Sequence, residues 1–272
     1  MTDIRYATSP TEMATLSPEE LRARFLITDL FAAGAVRFTL SHHDRLLVGG
    51  AMPAGGILSL AAPRELSAEN LCDRRELGIV CLEGIGSVIA DGTAHPVEAE
   101  SIVYVGQGTK SVAVQGEATF YIVSAPAHAP LPTTLVTRAD AETLTIGDPD
   151  KASLRTLRKY VHDKGVRSCE LALGITTLAP GSVWNTMPCH THDRRTEIYL
   201  YFGLDQAERV VHLCGQPART RSIIVADRQA VISPPWSVHT GAGTAPYRFV
   251  WSTAGENLAY NDMDPVSTES LS

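Results

Sequence analysis

The stretch that decides the fold runs Met187-Pro-Cys-His-Thr-His-Asp-Arg-Arg-Thr-Glu197. Side chains alternate along an extended strand, so His190 and His192, two residues apart, point to the same face. Glu197 follows five residues later and can close the group across a turn or from the next strand. Imidazole and carboxylate ligands suit Zn²⁺ and other first-row divalent ions better than Ca²⁺ or Mg²⁺, which prefer oxygen. The stretch therefore predicts a β-strand that carries a metal site.

The composition is that of an ordinary globular protein. The 272 residues, 44% hydrophobic and 19% charged, suffice for one large or two modest domains that each bury a core. A formal net charge of -7 argues against nucleic acid as a partner, so an anionic small substrate would need a local cluster of Arg or Lys.

Several features predict a cytoplasmic protein. The N-terminus has no apolar signal core, and no later run reaches the length of a membrane span, so we expect no membrane partner. A reducing compartment also fits the cysteines, which form an odd set without close-paired spacing: Cys72, Cys81, Cys169, Cys189 and Cys214.

A helix start occurs near the N-terminus, at Ser17-Pro-Glu-Glu20. Ser17 is a suitable N-cap, Pro18 suits the first helical position, and Glu20 can close a capping box. We expect a short structural helix that ends at about Phe25.

The remaining pattern is one of short apolar runs broken by glycine. Such runs fill residues 36–123, with a strong tight-turn signal at Asp91-Gly92, and they return in residues 170–251. No long helical period intervenes in either region. The pattern predicts a mainly all-β protein made of antiparallel barrels or sandwiches.

The two strand-rich regions are separated by Ala125-Pro-Ala-His-Ala-Pro-Leu-Pro132, which cannot pair continuously in a sheet. We therefore expect an N-terminal domain at residues 1–130, a connecting segment at 131–166 and a C-terminal domain at 167–272. The connecting segment is typical of a solvated face, with contact to an acidic ligand or a partner subunit as the alternative. The basic residues in and beside it are Lys151, Arg155, Arg158, Lys159, Lys164 and Arg167.

The two strand-rich regions also resemble each other. Cys72-Asp-Arg-Arg-Glu76 echoes His192-Asp-Arg-Arg-Thr-Glu197, and Gly106-Gln-Gly-Thr-Lys-Ser111 occupies the place that Pro234-Pro-Trp-Ser-Val-His239 holds later. The offsets agree to within several residues, as loops of differing length would produce. We infer a duplication in which Cys72 and Ser111 stand where the second half has histidines, so we expect no metal site in the first half.

Two motifs of the second half resemble those of the cupins. His190-x-His192-x₄-Glu197 is similar to H-x-H-x₃₋₄-E-x₆-G, although Gly203 follows one residue earlier than in that pattern. Pro234-x-Trp236-x-x-His239 is similar to P-x-G-x-x-H, with Trp in place of Gly. In cupins these residues converge on one metal inside a small β-barrel, so the resemblance implies His239 as a fourth ligand.

A longer block, Trp184-Asn-Thr-Met-Pro-Cys-His-Thr-His-Asp-Arg-Arg-Thr-Glu-Ile-Tyr-Leu-Tyr-Phe202, resembles the 5-keto-4-deoxyuronate isomerases. One departure is Ser222, where the family pattern leads us to expect a histidine. It leaves the four metal positions in place. Further matching blocks, spread over nearly the whole chain, are Ser41–Gly50, Arg74–Gly78, Tyr104–Gly106, Ala125–His128, Gly215–Arg221, Ile232–Thr244, Gly255–Asn257 and Asp262–Asp264.

This resemblance implies a bicupin of two tandem antiparallel β-barrel (jelly-roll) domains, assembled as a homo-hexamer, with one zinc ion in the C-terminal barrel. It implies a ketol-isomerase that converts 4-deoxy-L-threo-5-hexosulose uronate to 3-deoxy-D-glycero-2,5-hexodiulosonate in the use of pectin-like polysaccharides. An aldehyde and its neighbouring hydroxyl become a ketone and a primary alcohol, while the distant carboxylate is unchanged.

The isomerisation requires several residue roles, and the sequence reduces each role to a few candidates. The metal would polarise the carbonyl and stabilise an enediolate, and a base would carry a proton between adjacent carbons. Arg194, Arg195 and Arg221 are candidates for the substrate carboxylate, with bracing of the strand as the alternative, and Trp236 is a candidate for the pocket wall. The base remains open among Asp193, Glu197, Tyr199, Asp262 and a metal-bound water, with Arg194 as a further catalytic candidate.

Two other functions are compatible with the same ligands. A three-histidine, one-glutamate site can hold Fe²⁺ and serve a dioxygenase, because ligand type constrains the metal only loosely. A non-catalytic cupin that binds a sugar acid is the second alternative. The remaining histidines lack partner spacing and are assigned surface or satisfied-core roles: His42, His43, His128, His162 and His212.

Overall fold

A computed structural model describes residues 2–272 of the chain. They divide into two compact units, each assembled from three segments. The first unit contains the N-terminal residues through Arg5, Asp29–Glu142 and Lys159–Leu173. The second contains Tyr6–Thr28, Thr143–Arg158 and Gly174–Ser272. Each unit is thus discontinuous in sequence.

Two short α-helices lie near the N-terminus, α1 at Pro10–Met13 and α2 at Pro18–Phe25. Each begins with a proline after a serine that forms a capping box with a glutamate three residues on. Leu21 and Phe25 form the buried side of α2. Three 3₁₀ turns occur at Arg64–Leu66, Pro149–Lys151 and Thr268–Ser270. Among residues 2–272, no helix is both long and apolar enough to cross a membrane.

The rest of the regular structure is β, which confirms the mainly all-β prediction. The strands are β1 Asp3–Arg5, β2 Leu26–Ile27, β3 Ala35–Ser41, β4 Leu47–Met52, β5 Ile57–Ser59, β6 Arg75–Ala90, β7 Thr93–Glu98, β8 Ile102–Val105, β9 Val112–Pro126, β10 Thr134–Val136, β11 Glu142–Ile146, β12 Arg155–Val161, β13 Ala172–Leu178, β14 Trp184–Asn185, β15 His190–Thr191, β16 Arg195–Phe202, β17 Val210–Gln216, β18 Arg219–Val225, β19 Gln229–Ser233, β20 Thr240–Gly243, β21 Arg248–Gly255 and β22 Asp264–Pro265.

The first unit is built on one nine-stranded sheet with the order β1-β3-β4-β9-β6-β8-β10, in which β5 pairs with β9 and β7 with β6. Its core includes Leu77, Ile79 and Phe120. The β6–β7 turn falls on Asp91 and Gly92, whose φ angles of 45° and 80° are the positive values that a two-residue hairpin turn requires. The tight turn predicted from Asp91-Gly92 is therefore confirmed.

A buried carboxylate, Glu76 on β6, organises part of the first unit. Its Oε1 accepts hydrogen bonds from the backbone N–H groups of Glu170 and Leu171, each at 2.8 Å. Its Oε2 accepts from the N–H of Cys169 at 2.7 Å and from the hydroxyl of Tyr104 at 2.6 Å. Glu76 therefore holds the chain segment 169–171 through three hydrogen bonds and Tyr104 through a fourth.

The second unit contains a seven-stranded sheet, β11-β12-β13-β21-β16-β19-β2, a four-stranded sheet, β14-β20-β17-β18, and the pair β15-β22. Strand β16 lies between β21 and β19, and its alternating side chains place Glu197, Tyr199 and Tyr201 on one face. Gly203 ends the strand at a φ of 75°, a left-handed conformation that glycine adopts without strain.

Candidate metal centre

Four side chains converge in the second unit: His190, His192, Glu197 and His239. One potential ligand atom from each lies within 4.8 Å of the others. Oε2 of Glu197 is 3.0 Å from Nε2 of His192 and 2.9 Å from Nε2 of His239, which is 3.0 Å from Nε2 of His190. Within residues 2–272, this is the one group of three or more His, Cys, Asp or Glu side chains that lie close enough together to hold a metal ion.

Local chain geometry explains the convergence. His190 lies on β15. A turn follows, closed by the hydrogen bond from the N–H of Arg195 to the carbonyl of His192, and β16 then carries Glu197. His239 directly precedes β20. The N–H of His192 donates to the carbonyl of Pro235 at 3.3 Å, which joins the segment that carries the first three residues to the one that carries His239.

Backbone carbonyls fix the orientation of two of the rings. Nδ1 of His192 is 2.8 Å from the carbonyl oxygen of Arg195, and Nδ1 of His239 is 3.2 Å from that of Ser237. A carbonyl oxygen only accepts hydrogen bonds, so both Nδ1 atoms carry protons and both Nε2 atoms turn lone pairs inward in the neutral rings. This is the usual support of histidine ligands to a metal, and the donor set therefore fits a first-row divalent cation.

The electrostatics of the group also suit a cation. Burial alone would raise the pKa of Glu197, but the charge of His239 and hydrogen bonds from His192 and His239 outweigh it and hold that pKa well below its ordinary value. Burial and the neighbouring His239 lower the pKa of His190 to about 3. Burial acts to lower the pKa of His192 too, yet the hydrogen bond and charge of Glu197 raise it overall. The ionised carboxylate of Glu197 thus stands beside the neutral ring of His190, and both are in the protonation states that bind metals. A bound cation would take the place of the Nε2 protons that His192 and His239 share with Glu197.

Two of the predicted catalytic candidates, Arg194 and Asp262, are in mutual contact. Nε of Arg194 is 2.8 Å from both carboxylate oxygens of Asp262, and its Nη2 is 2.9 Å from Oδ2 of Asp264. Hydrogen bonds from Arg194 and Asn257 lower the pKa of Asp262 to about 2. Asp193, in contrast, is exposed. Arg194 and Asp262 therefore bind the segment after β21 to the segment that carries the histidines.

The other two predicted carboxylate-binding arginines are also engaged with the protein. Arg195 is buried, and its guanidinium donates to the carbonyls of Ala259 at 3.0 Å and Asp262 at 2.8 Å. Arg221 donates to the carbonyls of Met13 and Leu16, each at 2.8 Å, and so anchors the loop between α1 and α2. Both guanidinium groups thus hold backbone carbonyls of the protein.

Tyr199 and Trp236 are placed differently. Tyr199 is buried beside the metal group, with its ring edge-on to His239 at a centroid distance of 5.5 Å. Its hydroxyl lies 3.2 Å from that of Thr186, and burial raises its pKa well above the ordinary value. Trp236 is half-buried in the segment that leads to His239.

Two residues that the sequence interpretation did not assign to the site lie near it. His212 is completely buried, as its core alternative implies, with Nδ1 2.7 Å from the Tyr201 hydroxyl and with no partner for Nε2 within residues 2–272. Isolated spacing gave no signal for it, because its partners come from other strands.

Arg155 is the second. Its guanidinium makes one described hydrogen bond within residues 2–272, from Nη1 to the Ser153 carbonyl at 2.8 Å. Burial lowers the pKa of Arg155, and the neighbouring Tyr199 and Tyr260 oppose that shift. Arg155 is one of the basic residues of the connecting segment, for which the sequence had left contact with an acidic ligand as an alternative.

Fold and site together define an all-β protein with a buried three-histidine, one-glutamate group that can hold a metal ion. The family model of the KduI/IolB family matches residues 26–267. The chain belongs to this family, which confirms the resemblance seen in its motifs.

Relatives with the same enzyme name align with almost the full length of this chain. The chain is 50% identical to a 4-deoxy-L-threo-5-hexosulose-uronate ketol-isomerase of Kineococcus radiotolerans, covering 98% of this chain and 99% of the relative. It is 45% identical to 4-deoxy-L-threo-5-hexosulose-uronate ketol-isomerase 2 of Rhizobium meliloti, covering 98% and 96%.

Solved structures share the fold at low sequence identity. An IolB-like protein from Salmonella typhimurium matches with a TM-score of 0.65 at 17% identity, over 90% of this chain and 89% of that one. An oxalate decarboxylase from Lactobacillus farciminis matches with a TM-score of 0.58 at 12% identity, over 82% and 79%. These likenesses concern the fold.

Proposed function

We propose that the protein is a metal-dependent ketol-isomerase that converts 4-deoxy-L-threo-5-hexosulose uronate to 3-deoxy-D-glycero-2,5-hexodiulosonate. The observation that carries the proposal is the convergence of His190, His192, Glu197 and His239. It occurs in a chain that is 50% identical, over 98% of its length, to an enzyme of that name. No observation favours the dioxygenase or the non-catalytic sugar-acid-binding protein.

The architecture we propose is a bicupin. An N-terminal barrel, in the simplest division residues 1–130, lacks metal ligands, residues 131–166 connect, and residues 167–272 form the barrel with the metal. Support comes from the matching fold of the IolB-like protein over 90% of this chain. We further propose a cytoplasmic homo-hexamer that acts in the breakdown of pectin-like polysaccharides.

We propose zinc as the resident ion, one per chain, held by His190, His192, Glu197 and His239. Imidazole nitrogen and carboxylate oxygen are common zinc ligands. When bound, the ion supplies Lewis-acid polarisation of the substrate carbonyl. Arg195 and Ser237 contribute through their carbonyls, which keep the Nδ1 protons of His192 and His239 in place and hold both rings in orientation.

Isomerisation also needs a group that moves a proton between the two reacting carbons. Tyr199 is buried against the ring of His239, and its raised pKa keeps the hydroxyl protonated, so we propose it as a proton donor. We propose the exposed Asp193 as the base. Asp262 already accepts hydrogen bonds from Arg194 and Asn257. We therefore propose that Arg194 and Asp262 close the segment after β21 over the site rather than transfer protons.

We propose that Arg155 binds the distant carboxylate of the substrate. A uronate needs a cation at that end, and a guanidinium can bind a carboxylate through two parallel hydrogen bonds. Arg194, Arg195 and Arg221 each donate two or more hydrogen bonds to the protein. Arg155 donates one, and Tyr199 contributes to its electrostatic surroundings. Trp236 remains our proposal for part of the pocket wall.

The test is incubation of the zinc-loaded protein with the uronate, followed by NMR. Wild type is expected to form the ketone, and His239→Ala to lose at least about 10²-fold in turnover, because Lewis-acid stabilisation is worth several kcal/mol and each 1.36 kcal/mol is tenfold. His95→Ala, a histidine of the first unit, is the matched control. Oxygen uptake with turnover would support a dioxygenase, and recovery of unchanged uronate would support a binding protein. Wild-type conversion that survives His239→Ala would refute the metal mechanism.

A further inference from the structure

Thr186 begins the segment that joins β14 to β15, four residues before His190. Its backbone φ is 45°, in the left-handed region, where the Cβ of an L-residue crowds a carbonyl oxygen of its own backbone. A β-branched residue adopts this conformation only where the surrounding structure imposes it, and such residues are concentrated at functional sites. The strained backbone of Thr186 therefore points to a function for its side chain.

The residue before it, Asn185, imposes this conformation. Asn185 is 0% exposed and pairs with Gly241 of β20. Its backbone carbonyl accepts a hydrogen bond from the Thr240 hydroxyl at 2.5 Å, and its Oδ1 accepts from the N–H of Gly241 at 3.1 Å. Its Nδ2 donates to the hydroxyl of Tyr247 at 2.7 Å. Three hydrogen bonds thus fix the point from which Thr186 starts.

In this conformation the Thr186 side chain contacts Tyr199. The two hydroxyl oxygens are 3.2 Å apart. Tyr199 is 3% exposed, and its ring is edge-on to that of His239 at 5.5 Å between centroids, whereas Thr186 is half-buried. Thr186 therefore forms a hydrogen bond with the group that we propose as the proton donor beside the metal group.

The direction of this hydrogen bond decides what Tyr199 can do. Each hydroxyl carries one proton and can also accept. If Tyr199 donated to Thr186, its single proton would point away from the substrate. If Thr186 donates, the phenolic O–H stays available for the substrate. The Tyr199 oxygen also keeps a donor that is worth more when negative charge grows on that oxygen, because hydrogen bonds to charged acceptors are the stronger ones.

We propose that Thr186 is a positioning residue: its hydroxyl donates a hydrogen bond to the oxygen of Tyr199 and so keeps the phenolic O–H directed at an oxygen on the reacting carbons of the substrate. This inference rests on the proposed isomerase function.

The proton transfer that Thr186 assists is balanced by that of the base. The O–H bond of Tyr199 breaks, the carbonyl oxygen takes the proton, and the electron pair stays on the Tyr199 oxygen. The base takes a proton from the neighbouring carbon, whose C–H electron pair forms the C=C bond of the enediol. The reverse transfers complete the isomerisation and restore both groups. Because charge reaches the Tyr199 oxygen only as the proton moves, the hydrogen bond from Thr186 contributes to kcat more than to KM.

The test compares zinc-loaded variants by kcat, KM, zinc content and circular dichroism. Thr186→Val keeps the β-branched shape without the hydroxyl and is expected to lower kcat by about 10- to 10²-fold, the effect of losing one hydrogen bond to a charged group, with KM within about twofold of wild type. Thr186→Ser keeps the hydroxyl and should restore most of kcat. Thr244→Val is the matched control with wild-type kcat expected, because Thr244 is exposed and its hydroxyl accepts from the N–H of Arg209 at 3.0 Å.

A double-mutant cycle separates positioning from a structural role. Tyr199→Phe should lower kcat at least as much as Thr186→Val. Adding Thr186→Val to Tyr199→Phe should cause no further loss, because the two residues act through one hydrogen bond. Losses that multiply in the double variant would overturn the inference, since Thr186 would then act on a group other than Tyr199. Wild-type kcat in Tyr199→Phe would overturn it as well.

Wild-type kcat in a folded, zinc-loaded Thr186→Val would also overturn the inference, and so would a Thr186→Ser protein no more active than Thr186→Val. Loss of zinc in Thr186→Val would count against it too, because Thr186 would then support the ligands. If Thr186→Val does not fold, Thr186→Gly takes its place, since glycine adopts the left-handed backbone without strain. Failure of the wild type itself to convert the uronate is a separate result, which refutes the proposed function.

Discussion

Replacing Glu76 by glutamine tests the hydrogen-bonding account of the first unit. The carboxylate accepts four hydrogen bonds, from three backbone N–H groups and the Tyr104 hydroxyl. Glutamine has one acceptor oxygen. If that oxygen keeps the N–H groups of Glu170 and Leu171, the amide NH₂ faces the N–H of Cys169, and two donors then oppose each other.

The magnitude follows from this mismatch. One orphaned backbone donor costs about 1–3 kcal/mol, and the remaining bonds lose the strength that a charged acceptor gives them. We expect Glu76→Gln to lower the free energy of unfolding by about 2–4 kcal/mol. At roughly 2–4 °C per kcal/mol for chains of this size class, the melting temperature falls by about 5–15 °C.

The assay is thermal and urea unfolding followed by circular dichroism, with Glu98→Gln as the control. Glu98 is an exposed glutamate of the same unit, and the same chemical change there should stay within about 0.5 kcal/mol. Zinc content should remain one per chain, because the metal group lies in the second unit. A Glu76→Gln protein as stable as Glu98→Gln would refute the reasoning.

Three further predictions concern the second unit. Arg155→Met should raise KM for the uronate by at least about tenfold, since a hydrogen bond to a charged group contributes about 1.5–3 kcal/mol, and Arg219→Met, an exposed arginine, should not; equal KM values would remove Arg155 from substrate binding. Arg194 and Asn257 lower the pKa of Asp262 from 3.8 to about 2, so its stabilisation is complete above about pH 4 and is lost as the pH falls towards 2; urea midpoints of Asp262→Asn should lack this dependence, and parallel pH curves would contradict it. Removing zinc by chelation should lower the melting temperature by about 5–10 °C relative to protein with free zinc at 100 times its Kd, and Glu197→Gln should show little difference between the two states; a shift of wild-type size in that variant would contradict ligation by Glu197.

Local chemistry made parts of the fold predictable from sequence. Ser17, Pro18 and Glu20 act within one turn of helix, so their capping signal needs no knowledge of the rest of the chain, and α2 begins at Pro18. Asp91 and Gly92 likewise determine their own turn. The discontinuity of the two units, in contrast, depends on pairings such as that of β2 with β19, which local pattern does not encode.

In the site, too, the residues on one local stretch were predictable from sequence, whereas contacts between distant segments were not. His190, His192 and Glu197 were found together because they lie on one short stretch, and His239 entered through resemblance to the cupin motif. The engagement of Arg221 with Met13 and Leu16 joins residues about 200 positions apart, so no spacing rule could reveal it. The open hydrogen bond of His212 is equally invisible, since Tyr201 satisfies one nitrogen of the ring from a different strand.

The central claim is that one metal ion, held by the four converging side chains, is required for isomerisation. The most direct measurement is titration of metal-free protein with zinc while conversion of the uronate is followed by NMR. Turnover should be negligible without metal and should rise linearly to a plateau at one zinc per chain. Full turnover by the metal-free protein would contradict the requirement for a metal. So would a protein that reaches its maximal turnover while zinc is bound elsewhere than at His190, His192, Glu197 and His239.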